Sequence, residues 1–186
     1  MDRYWLLTSN TYGTWLPGDR KGFVGFVRDA NDRQVIRNSP GTPVESANPP
    51  LQRYARRLLK SPPVRFTLDQ AESLLEQFQE TAQFRKWQLL AVAIMANHVH
   101  WVIGVPGDPD PESLLRDFKA YGSRKLNRVL KLAQPADWWA ESGSKKKLPT
   151  RESVLAAVNY VIQQEYPLVI WTAPVPELNI AGGRLV

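Results

Sequence analysis

The sequence predicts an α+β sandwich, in which a mostly antiparallel sheet carries helices on one face. A segment rich in aromatic and β-branched residues, Tyr4–Thr14, indicates a first strand. Two further strand-like segments, Leu89–Met95 and His98–Val105, are separated only by a kink or tight turn at Asn97. The order strand, helix, strand–turn–strand, helix, followed by another helix and strand, is typical of this class.

The first long helix is predicted by its cap and its periodicity. Thr67 and Gln70 have the spacing of a capping box, so the helix should begin directly after Thr67 and end near Lys86. Its apolar stripe consists of Ala71, Leu74, Leu75 and Phe78.

Two further helices are expected in the second half of the chain. One covers residues 111–132, after a break rich in Pro, Gly and Asp. A loop that includes the polar stretch Glu141–Lys147 separates it from the last helix, which has Thr150 as its N-cap and ends before Pro167. A short strand, Leu168–Thr172, then precedes the tail.

The region between the first strand and Thr67 has little periodicity. Trp15–Gly22 is typical of a turn, and Leu51–Lys60 predicts a short basic helix that ends before Pro62. We therefore expect one domain over residues 1–186, with a basic loop insertion at about 28–65 and a short tail at about 174–186.

Charge and composition favour a nucleic-acid partner. The 186 residues carry a net charge of +6 and have a pI of about 9.7, and basic residues with interleaved aromatics suit a polyanion. There is no Cys, so disulfides and thiolate chemistry are excluded. No signal peptide and no apolar segment of membrane-spanning length is evident, so we expect a cytoplasmic, nucleoid-associated protein without membrane contact.

Both histidines of the chain lie in Ala96–Trp101. On a strand, His98 and His100 point to the same face, because successive side chains alternate. Such a pair could supply two of the ligands of a metal site, or it could be two surface histidines whose hydrogen bonds are already satisfied. A third ligand would have to be Asp, Glu, Asn or Gln, because the chain has no other His and no Cys.

The last helix offers one candidate set. Its core-facing stripe is predicted to be Val154, Leu155, Val158, Val161 and Ile162. Tyr160 is then expected roughly opposite this stripe, with Gln164 one turn later on the same side. These two residues could supply a nucleophile and an amide ligand to a shared site, or they could be two solvated polar residues on a surface helix.

Tyr121 is the competing nucleophile. It falls on the apolar stripe of the helix at 111–132, so we expect it in the core; the other members of that stripe are Leu114, Leu115, Phe118 and Val129. The opposite face suits either phosphate contact or simple solvation, and it carries Arg116, Arg124, Asn127 and Lys131.

Four motifs in this order resemble those of the single-tyrosine HUH transposases. They are Tyr12–Asp19, Met95–Trp101, Phe118–Asn127 and Val158–Gln164. The family includes the transposases of the simplest insertion sequences and the REP-associated tyrosine transposases. REP-associated members often have Pro where this chain has Ala96, a small difference within a turn.

The resemblance implies a ferredoxin-like (RRM-like) sandwich with a central antiparallel sheet. It also implies a divalent metal, Mg or Mn, held by His98, His100 and Gln164, with Tyr160 as the nucleophile. Tyr160 would attack single-stranded DNA, form a 5′-phosphotyrosine and free a 3′-hydroxyl, and a second 3′-hydroxyl would then rejoin the strand.

The same resemblance implies a DNA partner with hairpin or palindromic repeats, and it leaves monomer and homodimer open. The candidate DNA-contacting residues are Arg56, Arg57, Arg116, Lys119, Arg124 and Arg128. Three alternatives stand beside the transposase: a domesticated hairpin-binding protein without turnover, a related HUH nickase, and a metal-dependent phosphoesterase for small substrates.

Overall fold

The computed structural model describes residues 2–19, 25–28, 34–37, 46–141, 143–174 and 183–185. In chain order, the elements are β1 (Asp2–Asn10), β2 (Gly25–Arg28), β3 (Gln34–Arg37), α1 (Pro49–Arg57), α2 (Leu68–Arg85), β4 (Gln88–Ile94), β5 (His98–Pro106), α3 (Pro111–Val129), β6 (Ser144–Leu148), α4 (Arg151–Ile162), β7 (Val169–Thr172) and β8 (Gly183–Leu185).

Six strands form one sheet in the order β6-β1-β5-β4-β7-β8, and all neighbouring strands are antiparallel. When β2, β3 and α1 are set aside, the chain has the order β-α-β-β-α-β, formed by β1, α2, β4, β5, α3 and β6. The four strands of this unit lie in the order β6-β1-β5-β4. This is the ferredoxin-like arrangement. The predicted α+β, ferredoxin-like sandwich is therefore confirmed, and β2 and β3 pair separately as a hairpin.

The helices cover both faces of the sheet, so the expectation that they pack on one face is wrong. One hydrophobic cluster joins α2 and α3 to residues such as Val92 and Trp101, and a second joins α4 to Ala91, Ala93 and Val102. Adjacent residues of β4 and β5 are thus buried on opposite sides. A near-continuous apolar strand is the pattern expected for a sheet that is covered on both faces.

The α2–α3 side holds the large side chains of the core. Phe78 of α2 and Phe118 of α3 pack against Trp101, with ring centroids 5.1 and 5.4 Å away. Gly122 allows the two helices to approach closely, because a Cβ there would lie 3.0 Å from Leu74 Cδ2. The predicted capping box at Thr67 is present.

Several boundaries differ from the predictions. The first strand ends at Asn10, because the following residues form turns that bring Gly18 O to Asn48 N at the start of α1. The third helix ends at Val129. Ser144–Leu148 is an edge strand rather than a loop. The strand is not evident from the sequence, because its three consecutive lysines show no alternation of apolar and polar residues.

Parts of some predictions fall outside the described residues, namely 20–22 of the turn, 29–33 and 38–45 of the basic insertion, 142 of the polar stretch, and 175–182 and 186 of the tail. Within the described residues, none of the helices has the length and hydropathy needed to cross a membrane.

Candidate active site

The histidine pair begins at the closed end of the β4–β5 hairpin. Backbone hydrogen bonds from Phe66 N to Ala96 O (2.7 Å) and from Thr11 N to Asn97 O (2.9 Å) hold the two turn residues. The hydroxyl of Thr11 lies 3.1 Å from the same Asn97 carbonyl. The fold therefore fixes the two residues before His98 from two separate segments, Ala96 through Phe66 and Asn97 through Thr11.

His98 and His100 lie on the α4 face of the sheet, as the alternation predicts. Their ring centroids are 4.9 Å apart and the ring planes are nearly perpendicular, at 86°. His100 is buried, with 4% of its surface exposed, whereas His98 is half-buried. The two imidazoles therefore meet at the boundary between the core and the solvent.

Each imidazole is held at Nδ1 by a polar side chain. Asn97 Oδ1 lies 2.8 Å from His98 Nδ1, and Thr8 Oγ1 lies 2.8 Å from His100 Nδ1. The Asn97 oxygen can only accept, so His98 Nδ1 donates and Nε2 carries the lone pair of the neutral ring. When Thr8 accepts in the same way, His100 Nε2 is also left with its lone pair.

His100 Nε2 is buried and makes no regular hydrogen bond within the described part of the chain. Burial, and to a smaller extent repulsion from a protonated His98, lowers the pKa of His100 to about 4, while the hydrogen bond with the Gln164 side chain opposes the shift. His100 is therefore neutral near pH 7. Neutral imidazole is the form that binds a metal ion.

Tyr160 approaches the pair from α4. Its ring centroid lies 5.4 Å from that of His100 at an interplanar angle of 78°, and 49% of its surface is exposed. The expectation that Tyr160 lies opposite the apolar stripe is wrong, because the buried residues of α4 include Ala157 beside Val158 and Val161. Ala157 shifts the stripe and leaves Tyr160 on its flank, next to the sheet.

Gln164 lies beyond the end of α4, which stops at Ile162. Its Nε2 donates to the Tyr160 backbone carbonyl at 3.0 Å. This hydrogen bond joins residues four positions apart, as the backbone bonds of an α-helix do, so it holds Gln164 one turn away from Tyr160. The same side chain is close enough to His100 to raise its pKa. Since this bond uses the amide nitrogen, Oε1 is the atom suited to a cation.

The described residues contain no cluster of three or more His, Cys, Asp or Glu side chains that could hold a metal. A metal ion at the histidine pair would therefore need amide or hydroxyl oxygens as its further protein ligands. Of the four residue types that the sequence left open for the third ligand, Asn and Gln are therefore the ones that the described residues still allow.

Trp15 connects the pair to a polar groove. Its ring lies 5.5 Å from that of His98, and its backbone has a left-handed φ of 54°, which is strained for a residue with a Cβ. The groove has a volume of about 260 Å³ and is lined by Gly13, Thr14, Trp15, Leu16, Asp19, Gln52, Arg56, Pro63, Arg65 and Asn97.

The turn at Gly18 brings α1 to this groove. Gly18 has a φ of 84°, and a Cβ at this position would lie 2.3 Å from Asn48 O, the N-cap of α1. Asp19 Oδ2 then accepts from Gln52 Nε2 at 3.0 Å. Only a glycine permits this contact, which explains why the turn contains Gly at this position.

Tyr121 lies on the other side of the sheet, on α3, and is not brought to the histidines. The prediction that it is a core residue is wrong: it is half-buried, and the Arg124 guanidinium stacks over its ring at 4.3 Å. It lines a cleft between α2 and α3 that also includes Phe84. Val129, predicted for the same stripe, is exposed, and Leu126 takes its place in the core.

The candidate DNA-contacting residues divide between two places. Arg116, Arg124 and Arg128 are exposed on α3, on the opposite side of the sheet from the histidines. Lys119 is half-buried; its Nζ donates to the carbonyls of Ala140 (2.9 Å) and Glu141 (3.2 Å), and burial lowers its pKa to about 8.

The remaining two candidates, Arg56 and Arg57, are exposed on α1. Arg56 lines the groove that reaches Asn97, and Arg65 lies in the same groove. Of the six candidates, Arg56 is therefore the one that the fold places in the groove beside the histidine pair.

The model of the IS200-like transposase family matches residues 60–163, which is more than half of the 186-residue chain. The chain belongs to this family. The matched segment contains His98, His100 and Tyr160, and it ends one residue before Gln164. Among curated proteins, no sequence matches this chain significantly.

Two solved transposase structures resemble the fold weakly. A REP-associated tyrosine transposase bound to a REP hairpin has 14% identity and a TM-score of 0.45, and the alignment covers 86% of this chain and 64% of that one. A protein described as a transposase from Deinococcus radiodurans R1 has 12% identity and a TM-score of 0.45, with 89% and 93% coverage. The family assignment therefore rests on the sequence match.

Proposed function

We propose that this protein is a divalent-metal-dependent transposase that cleaves and rejoins single-stranded DNA through a covalent link to Tyr160. The observation that carries this proposal is the contact between the Tyr160 ring and His100 of the same chain, at 5.4 Å between ring centroids. A solvent-accessible phenol beside two histidines, in a transposase family member, fits nucleophilic attack on DNA.

The residues at the pair fit a divalent metal. His98, His100 and Gln164 offer two imidazole nitrogens and an amide oxygen, and the buried His100 Nε2 has no other partner among the described residues. The amide oxygen and the positions left for water suit Mg²⁺ or Mn²⁺, which are also the ions that the family resemblance implies. The metal would polarise the scissile phosphate and stabilise the charge that develops on it.

The phenol supplies the nucleophile. Tyr160 Oη attacks the phosphorus, and the bond from phosphorus to the 3′ oxygen breaks. The phenol proton is released to water and the leaving oxygen is protonated, so a 5′-phosphotyrosine and a free 3′-hydroxyl result. A second 3′-hydroxyl then attacks the phosphotyrosine and releases the phenol. The phosphodiester energy is kept in the covalent link, and no nucleotide cofactor is consumed.

The groove beside His98 is our candidate path for the DNA strand. Arg56 and Arg65 can neutralise phosphates, and Trp15 offers an aromatic ring on which a base can stack. The exposed arginines of α3 lie on the opposite side of the sheet from the histidines, so we assign them to a flanking hairpin. We expect the protein to act on nucleoid DNA in the cytoplasm, as a monomer or a homodimer.

The direct test is capture of the covalent intermediate. Single-stranded oligonucleotides tiled across the DNA that flanks the coding sequence are labelled at the 3′ end and incubated with the protein and Mn²⁺ or Mg²⁺. Because Tyr160 retains the 5′-phosphate side of the break, the 3′ label should migrate with the protein on a denaturing gel. A 5′ label should instead yield a shorter free fragment.

Tyr160→Phe should abolish the labelled adduct, and Tyr121→Phe is the matched control that should retain it. The proposal fails if Tyr160→Phe still forms the adduct. Cleavage without any adduct would indicate a phosphoesterase. Binding without cleavage in every divalent metal tested would indicate a DNA-binding protein without turnover.

A further inference from the structure

Asn10, the last residue of β1, stands next to the histidine pair. In the β1–β5 register, Asn10 is directly opposite His98, and Thr8 is directly opposite His100. Directly opposed residues of antiparallel strands project to the same face of the sheet. The Thr8–His100 hydrogen bond of 2.8 Å shows this for one pair, and the register places the Asn10 side chain on the same face as His98.

The side-chain oxygen of Asn10 is buried and has no hydrogen-bond partner among the described residues. His100 Nε2 is a second buried acceptor without a partner at the pair, and Trp15 Nε1, whose ring packs against His98, is a buried donor without one among the described residues. A buried acceptor left without a donor costs about 1–3 kcal/mol. Two such atoms on neighbouring strands, both able to offer a lone pair, are what a cation requires from its surroundings.

The fold itself gives no reason for an Asn side chain here. The main chain of Asn10 is engaged, since its carbonyl accepts from Ala140 N at 2.9 Å and its strand pairs with β5. Any residue could make these bonds. Asn is disfavoured in strands relative to Thr, Val or Ile, so both its backbone preference and its unpaired oxygen oppose a purely structural role.

We propose that Asn10 is a further residue of the divalent-cation site, with Oδ1 as an oxygen donor to the cation beside His98 and His100. This inference rests on the metal site of the proposed function. The donors would then be two imidazole nitrogens and the amide oxygens of Gln164 and Asn10, all of them uncharged. A neutral donor set holds a divalent ion loosely, and its affinity should respond strongly to an added charge.

The test measures Mn²⁺ binding to the full chain in the absence of DNA, by the loss of the free-Mn²⁺ electron paramagnetic resonance signal. Asn10→Leu has a similar shape without the oxygen and should weaken binding about tenfold, in line with the loss of a supporting group at a metal site. Asn10→Asp keeps the oxygen and adds a charge, so it should bind Mn²⁺ more tightly than the unaltered protein.

Thermal unfolding in chelator separates a ligand role from a structural one. Without metal, Asn10→Leu should melt at the same temperature or higher, because it removes a buried unpaired acceptor. The matched control is Asn127→Leu, since Asn127 Oδ1 accepts from Trp138 Nε1 at 2.8 Å. This control should melt lower, with unchanged Mn²⁺ affinity of the folded protein.

The inference about Asn10 is overturned if Asn10→Leu and Asn10→Asp both bind Mn²⁺ within twofold of the unaltered protein. It is equally overturned if Asn10→Leu behaves like Asn127→Leu, with a lower melting temperature and unchanged affinity. If the unaltered protein binds no Mn²⁺ or Mg²⁺, the metal site of the proposed function fails instead. The three results are distinct.

Discussion

Thr8→Val is the most informative single change near the histidine pair. Val has nearly the shape of Thr and is equally suited to a strand, so β1 should keep its pairing with β5. The change removes only the hydroxyl that lies 2.8 Å from His100 Nδ1. It therefore tests whether Thr8 sets the orientation and the proton position of His100.

The expected magnitude follows from the burial of His100, of which 4% is exposed. An unpaired polar atom in such a place costs about 1–3 kcal/mol of stability in the metal-free protein. Loss of the group that orients a ligand histidine typically lowers metal affinity about 10- to 100-fold, which corresponds to about 1.4–2.7 kcal/mol of binding free energy.

Two measurements check this prediction. Calorimetric titration with Mn²⁺ gives the affinity, and long-range ¹H–¹⁵N correlation spectra of the metal-free protein report which nitrogen of His100 carries the proton. Thr8→Val should show a changed tautomer balance and weaker binding, and Thr8→Ser should restore both. Unchanged Mn²⁺ affinity together with an unchanged His100 spectrum in Thr8→Val would refute the reasoning.

Two further predictions concern the same site. In chelator, the free energy of unfolding should fall by about 3 kcal/mol as the pH drops from 6.5 to 4, because the unfolded chain then binds a proton that His100, with its folded pKa lowered to about 4, does not. Chemical denaturation across this range should show the slope, and His100→Gln should remove it. The other prediction is that a mixture of His100→Ala and Tyr160→Phe proteins should form no DNA adduct, because the Tyr160 ring contacts His100 of the same chain. Recovered adduct in the mixture would mean that the chains exchange α4.

Local sequence signals were sufficient for much of the fold. The capping box at Thr67 and the N-cap at Thr150 located two helix starts, because a cap depends only on residues a few positions apart. The shared face of His98 and His100 followed from strand alternation alone. Tyr160 was also identified as a candidate, although the wrong side of α4 was assigned to it.

What the sequence could not supply was register between distant strands. Thr8 and Asn10 are ordinary polar residues in β1, and their place beside the histidines depends on pairing with a strand about 90 residues later. Nothing local indicates this pairing. For the same reason β6 could not be predicted from the sequence. Its polar residues belong to the sheet only because they pair with the free edge of β1.

The burial of the sheet on both faces has a consequence for how the molecule opens. The side covered by α2 and α3 holds Phe78, Phe118 and Trp101, whereas the side covered by α4 is filled mainly by smaller residues such as Ala93 and Ala157. Less apolar area is therefore lost from contact when α4 separates from the sheet. Local opening free energies follow such differences. In native-state hydrogen exchange, the amides of α4 should exchange well before those of β5, so that the layer that carries Tyr160 can detach while the strand of the histidines stays intact.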